Sequence, residues 1–328
     1  MIRRVVIFAP NWLGDAVMAL PAIRAVHETF PEATLDVAAR PSVAPLFSLV
    51  PEIGRVLVLE RGMRSAPALQ DGRYDTALLL PNSFHTARLA KRAGIPERWG
   101  YRADFRAWML TRAVPRPPHL HQVDYYRGLA HAVGCAGGEG DPRIAVTDGM
   151  RAQGAASLVA AGWDGLAPLV ALAPGAAFGS AKRWPAASFA RLSDRLATDG
   201  VRPVLIGSAG DRSAGSELAA ALGGHSRPLD LIGRTDVPQL AGVLTHCRAL
   251  VTNDSGAMHF AAALGVNVTV MFGPTRERET HPRGSGRHAF LTHPVWCRPC
   301  MLRECPLTHR CMTGISVDAV YAATQPLL

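Results

Sequence analysis

Short apolar runs alternate along this chain with longer stretches in which apolar residues recur every three or four positions. The first kind reads as buried strand and the second as helix packed on one face. Residues 3–9 are rich in Val and Ile and read as a strand. A polar loop follows at 10–15, then a helix over 16–30 with Val17, Leu20, Ile23 and Val26 on one face, although Pro21 falls near its first turn. Strands are expected at 34–38, 55–59 and 75–80, and a short helical segment at 42–50. Helices are expected at 83–93, ended by Gly94, and at 119–133.

The Gly-rich, acidic run CAGGEGDP within 134–149 breaks this rhythm, and a helix over 151–161 follows it. The pattern then restarts. Strands at 169–173, 203–206, 229–232, 249–252 and 267–272 alternate with helices at 186–198, 213–222, 237–247 and 256–264. A last helix, 317–324, is left to pack on either half, the N-terminal one included. Strands alternating with helices predict an α/β protein with doubly wound parallel sheets. The restart predicts two Rossmann-like domains, 1–150 and 151–328, alike in architecture without a repeat in sequence.

Length and composition agree with two ordinary globular domains: 328 residues, 48% of them hydrophobic. No apolar run approaches the ~20 residues of a membrane span. The opening MIRRVVIFAP starts like a signal peptide, but Pro10, Asn11 and Asp15 interrupt its apolar core, so it reads as the first strand of a cytoplasmic protein. The net charge is +9. Eight Lys and Arg fall between 88 and 116 (Arg88, Lys91, Arg92, Arg98, Arg102, Arg106, Arg112, Arg116) against Glu97 and Asp104. Such a stretch suits an anionic membrane surface, an anionic substrate or nucleic acid, or is simply a solvated face. Few aromatics interleave with it and no nucleic-acid-binding module is recognisable, which argues against nucleic acid.

Chemistry concentrates in loops at the carboxyl ends of predicted strands, where open α/β sheets bind ligands. APGAAFGSAKRWP, 173–185, sits between the strand at 169–173 and a helix opening after Pro185. Gly175, Gly179 and Ser180 let backbone N–H groups approach an anion, and Lys182 adds a point charge suited to phosphate. The alternative is a glycine-rich turn with a solvated lysine. The chain has only two lysines, Lys91 and Lys182, among its 35 Lys and Arg, which hints at a requirement for one here. Asp15, after Gly14, is either the cap of the first helix or a carboxylate able to accept a proton from a hydroxyl. In TNDSGAMH, 252–259, Asp254 and Ser255 can bond sugar hydroxyls, Gly256 exposes backbone N–H groups, and His259 lies one turn into the helix. The same residues also read as a capped helix start. Asp211, in GSAGD, reaches a ribose or merely caps the next helix. Cys297, Cys300, Cys305 and Cys311, with His309 nearby, permit a thiolate zinc site, though in an uncommon spacing, or are reduced thiols in an oxidation-prone loop. There is no Walker-type phosphate loop, no His-Glu-x-x-His and no Gly-x-Ser-x-Gly, and the nearest dinucleotide fingerprint, at 284–289, follows no predicted strand.

Taken together and in this order, NWLGDAVMALPAI, PGAAFGSAKRWP and NDSGAMHFAAALG resemble the glycosyltransferase family 9 heptosyltransferases, and within them the members that add the second heptose. The likeness runs over nearly the whole chain. It implies a GT-B fold, two facing Rossmann-like domains with a cleft between them, the first taking a lipid-linked acceptor and the second a nucleotide sugar. The implied reaction moves L-glycero-D-manno-heptose, with inversion, from ADP-heptose to heptose I of the Kdo–lipid A inner core. By the resemblance Asp15 is the base, Lys182 meets the diphosphate, and Asp254, Ser255 and Gly256 hold donor hydroxyls. Gly175, Phe178, Asp211, Thr235 and His259 are further donor-side positions, while Asn11, Gly14, Arg88 and Arg102 are expected on the acceptor side. No cofactor and no metal are implied, nucleic acid is not a partner, and the expected location is the inner face of the inner membrane. Three rivals stay open: the enzyme adding the first heptose, a sugar-nucleotide epimerase of similar architecture, and a non-enzymatic nucleotide or nucleic-acid binding module.

Overall fold

The computed structural model describes residues 2–60 and 62–328. The chain divides into two compact units, the first ending at Ile144 and the second running from Ala145 to Leu328. The division falls before position 150 because the helix Asp148–Ala160 belongs to the second unit. There it crosses the helix Val237–Thr245 so closely that a Cβ on Gly154 would lie 2.2 Å from the Gly242 carbonyl carbon.

The N-terminal unit is built on six strands: β1 (Arg4–Phe8), β2 (Thr34–Ala39), β3 (Val56–Val58), β4 (Thr76–Leu79), β5 (Glu97–Tyr101) and β6 (Arg112–Val114). Their order across the sheet is β3-β2-β1-β4-β5-β6, and every neighbouring pair is parallel. The C-terminal unit contains β7 (Leu169–Ala173), β8 (Arg202–Leu205), β9 (Leu229–Asp230), β10 (Cys247–Asn253), β11 (Asn267–Phe272) and β12 (His288–Thr292). Their order is β12-β11-β10-β7-β8-β9, again all parallel. Counted within its own unit, each sheet therefore has the same doubly wound order. The winding reverses between the first and fourth strands, β1 and β4 in one unit and β7 and β10 in the other. That reversal opens a crevice at the strands' carboxyl ends.

Of the central strands β7 is wholly apolar and buried, and β1 is so after Arg4, as suits strands covered by helices on both faces. Three strands escape the apolar-run criterion: β5 (ERWGY), β6 (RAV) and β12 (HAFLT) carry charged or polar residues and lie at or near sheet edges. The helix expected over 16–30 is two helices, Leu13–Met18 and Leu20–Thr29, meeting at Ala19. Pro21 has no N–H to continue the ladder, which places the break there. The last helix, Val317–Thr324, packs within the C-terminal unit. Val320 and Tyr321 join its core, and the Thr324 hydroxyl bonds Thr269 of β11 at 3.0 Å. Among the described residues no helix is long and apolar enough to cross a membrane.

Candidate active site

The loops that leave β1 and β4 flank the N-terminal reversal point. After Phe8 the chain turns through Pro10, Asn11 and Trp12 into the helix Leu13–Met18. Trp12 occupies the cap position without a side-chain bond, so Asp15 does not cap the helix; it lies in the first turn, where the helix dipole favours a negative charge. It lines a pocket of about 240 Å³ together with Asn11, Trp12, Asn82, Arg116 and Tyr126. The Tyr126 hydroxyl donates to Asp15 Oδ1 at 3.3 Å. Burial, and then the Asp15 carboxylate, hold that hydroxyl protonated well above its ordinary range. Asn82 donates to the Tyr125 hydroxyl at 2.6 Å, fixing the wall beside it.

Of the four acceptor-side expectations, only Asn11 lines this pocket. Gly14 is buried in the helix start. Arg88 is exposed on the helix Phe84–Arg92, and Arg102 donates through Nε to the Ala113 carbonyl at 2.9 Å, along the β5–β6 edge. The cation on the pocket wall is Arg116, from the same basic stretch. Tyr125 and Tyr126 lie within an ordinary-looking helix, Gln122–Ala132, and only their place beside Asp15 marks them.

In the C-terminal unit the loops leaving β7 and β10 meet in the same way. Lys182 closes the 3-10 turn Ser180–Lys182, and its ammonium lies 2.6 Å from Asp254 Oδ2. The Thr275 hydroxyl donates to that same oxygen at 2.6 Å. Both charged side chains are largely buried. Asn253, fully buried at the end of β10, accepts from the Trp184 N–H at 2.8 Å and donates to the carbonyls of Pro174 and Gly175 at 2.9 and 3.2 Å. One amide thus sews the β7 loop to the β10 loop. Phe178 lies between two cations, with Lys182 Nζ 4.9 Å and the Arg303 guanidinium 5.4 Å from its ring centre. Asn253, Thr275 and Arg303 are all absent from the sequence-derived set. Thr275 stands alone in a loop without a motif, and Arg303 lies within the Cys-rich segment, between Cys300 and Cys305, where the spacing marks the thiols and not the arginine.

The remaining donor-side positions divide. Ser255 is the cap residue of the helix Gly256–Ala263 but makes no capping bond; its hydroxyl is 3.2 Å from that of Thr252. His259 is buried one turn in. Asp211 closes a capping box on the 3-10 turn Ala209–Asp211, accepting through Oδ2 from the Ser208 N–H at 2.8 Å and hydroxyl at 2.7 Å, and makes no side-chain capping bond to the helix Arg212–Ala220 that follows. It also packs on the glycine loop, since a Cβ on Gly175 would lie 1.9 Å from Asp211 Oδ1. Thr235 is half-buried just before the helix Val237–Thr245.

All four late cysteines and His309 line one pocket of about 290 Å³. They are free thiols, and among the described residues no group of three or more His, Cys, Asp or Glu is arranged to hold a metal ion. Burial, and then its three cysteine neighbours, push the Cys311 thiol up. The segment buttresses the glycine loop. His309 Nε2 bonds the Ala181 carbonyl at 2.7 Å, and the Ala181 N–H donates to the Arg303 carbonyl at 3.0 Å.

A carboxylate pocket at one reversal point and a lysine-bearing glycine loop at the other are the equipment of a transferase that uses an activated, anionic donor. The chain belongs to glycosyltransferase family 9, the heptosyltransferases, whose family model matches residues 63–310. It is 33% identical over 301 residues to lipopolysaccharide heptosyltransferase 2 of Salmonella typhimurium, covering 85% of each chain. It superposes on the structure of E. coli ADP-heptose lps heptosyltransferase II with a TM-score of 0.85 at 30% identity, covering 99% of this chain and 98% of that one. Lipopolysaccharide heptosyltransferase 1 of Pseudomonas aeruginosa is more distant, at 26% identity over 92% of this chain and 87% of the relative.

Proposed function

We propose that this protein transfers heptose from ADP-heptose to the first heptose of the Kdo–lipid A inner core, in lipopolysaccharide biosynthesis. The observation that carries this reading is the Lys182–Asp254 contact at the reversal point of the C-terminal unit, made by the two motifs expected to meet the donor. Similarity favours the second heptose over the first, because the type 2 relative is nearer than the type 1 relative.

In this reading Asp15 accepts the proton of the acceptor hydroxyl as its oxygen attacks the anomeric carbon. The bond from that carbon to the ADP oxygen breaks, and the configuration inverts. Tyr126 orients the carboxylate. Lys182 has three N–H donors. One serves Asp254, and the others are free to turn to the diphosphate and stabilise the charge that gathers on the departing ADP. The bonds from Lys182 and Thr275 both land on Asp254 Oδ2, which leaves Oδ1 to a donor hydroxyl. The buttressed glycine loop adds backbone N–H groups. None of these steps calls on a metal. The acceptor is lipid-linked, so the enzyme works at the inner face of the inner membrane. Arg116, on the pocket wall, meets an acceptor phosphate or carboxylate, and that contact weakens with salt.

The test is ADP release from ADP-heptose, with and without acceptor. Release that depends on monoheptosylated Kdo–lipid A is expected. Release only with unheptosylated Kdo–lipid A reassigns the enzyme to the first heptose, and an isomerised sugar without acceptor makes it an epimerase.

A further inference from the structure

Beside the Asp15 pocket one loop inverts the usual arrangement of side chains. Between β5 and the 3-10 turn Ala107–Met109 the chain buries the second of its two arginines, Arg106, and exposes its phenylalanine. Arg106 is fully buried, and its guanidinium donates to the carbonyls of Tyr101 at 3.1 Å, Ser83 at 3.3 Å and Pro81. Asp104 accepts from the Phe84 N–H at 2.6 Å, tying the loop to the start of the helix Phe84–Arg92. Held from both sides, Asp104 and Phe105 adopt left-handed backbone angles, φ 48° and 53°. Aspartate tolerates that region; for phenylalanine it is rare. The result is a Phe105 side chain 94% exposed, with Trp108 66% exposed three residues on.

The surroundings of these two rings are basic. Lys91 Nζ stands 4.2 Å from the centre of the Trp108 ring. Phe84, Arg88 and Lys91 share the exposed face of their helix at positions i, i+4 and i+7, and Arg92 and Arg102 are exposed close by in the chain. The single carboxylate of the loop, Asp104, is engaged with the backbone. Protruding aromatic rings within a rim of lysine and arginine suit the boundary of an anionic bilayer. There the rings enter the headgroup layer and the cations meet lipid phosphates. The loop that carries the patch is tied to the pocket wall, since the buried Arg106 donates to the carbonyls of Pro81 and Ser83, which both line the pocket.

We propose that Phe105 and Trp108 form a wedge that inserts into the surface of an anionic membrane, with Lys91 and Arg88 as its cationic rim. The choice of a bilayer over another partner rests on the reading above that the acceptor is lipid-linked. The wedge gives this chain a defined depth and orientation at the lipid surface, with the Asp15 pocket beside the point of entry.

The experiment is co-sedimentation of the full chain with vesicles of phosphatidylglycerol and phosphatidylethanolamine, against vesicles of phosphatidylcholine. The comparison is the double variant Phe105→Asn, Trp108→Gln, in which asparagine keeps the left-handed preference. The wild type is expected to bind the anionic vesicles, and the variant about tenfold less. Transfer to a deacylated, water-soluble acceptor is expected to stay unchanged, so a failure of the proposed reaction shows in that assay and a failure of the wedge shows in sedimentation. A second readout needs no variant: amide exchange over 102–109 is expected to slow when anionic vesicles are added. Equal binding by both proteins, or no slowing over 102–109, overturns the wedge. So does a wild-type dimer, or binding to an oligonucleotide, that the variant loses without lipid present.

Discussion

An ammonium and a carboxylate 2.6 Å apart and largely out of water hold each other in place, and neither can be removed without stranding the other. Lys182→Ala is therefore expected to do two things. It leaves Asp254 as a buried charge with only Thr275, costing about 3 kcal/mol of stability in a urea titration. On the proposed mechanism it also removes the charge that would meet the departing diphosphate, and is expected to lower kcat about 100-fold and raise the KM for the donor. Normal steady-state kinetics in a folded variant would sink the phosphate cradle. Asp15→Asn keeps the shape of the pocket but not the basicity. It is expected to fold and bind ADP with wild-type affinity while transfer falls at least about 100-fold; undiminished turnover would remove Asp15 as the base.

Among elements, the glycine loop after β7 is the most tightly specified. Gly179 is where the Cys-rich segment comes against it: a Cβ there would lie 2.2 Å from the Arg303 carbonyl oxygen, a backbone atom that cannot swing away. Gly179→Ala must push the two segments apart. The expected cost is about 1–3 kcal/mol in thermal unfolding, with weaker stabilisation by added ADP. An unchanged melting curve with and without ADP would show that the loop does not need this contact. The late cysteines bear on the same element, because their segment carries His309 and Arg303, the partners of Ala181.

At the scale of the whole molecule the two units share a strand order but differ in their buried polar groups. Tyr74, Tyr101 and Tyr126 lie in the N-terminal unit, and burial is the first cause holding each hydroxyl protonated above its ordinary value of 10.0. A group whose pKa is raised by folding stabilises the fold fully below its unfolded pKa and loses that contribution as the pH climbs toward its folded one. The C-terminal unit has a single tyrosine, Tyr321, whose hydroxyl is also held protonated, first by its bond to Asp199 and then by burial, so one such group is lost there against three in the N-terminal unit. Above about pH 10 the N-terminal unit is therefore expected to lose stability first. Limited proteolysis at pH 8 and pH 11 checks this: cleavage at the higher pH should begin in residues before 145, and cleavage starting in the later residues would refute it.

The chain's own pattern was sufficient wherever one segment carried the whole signal. The continuous apolar run of β7, the mainly apolar β11 and the helices Ala186–Thr198 and Val317–Thr324 are legible because burial on both faces, or along one stripe, writes itself into consecutive residues. The three motifs are legible for the same reason, each being a single strand-to-helix turn. The strands β5, β6 and β12 are not, since strands at a sheet edge or next to one keep charged or polar residues. Nor are the partners of the motif residues. Tyr126 stands 111 positions from Asp15, and Asn253 stands 69 from Trp184. Strand order and parallel register bring them together, and nothing local records either. Sequence by itself thus determined which polar and charged side chains stand at the strand-to-helix turns, because that depends on the side chain and its immediate turn. Tertiary structure alone decided which of them meet: Lys182 with Asp254, Asp15 with Tyr126, and Arg116 rather than Arg88 or Arg102 on the pocket wall. Such meetings depend on how the sheet folds distant segments onto its carboxyl ends.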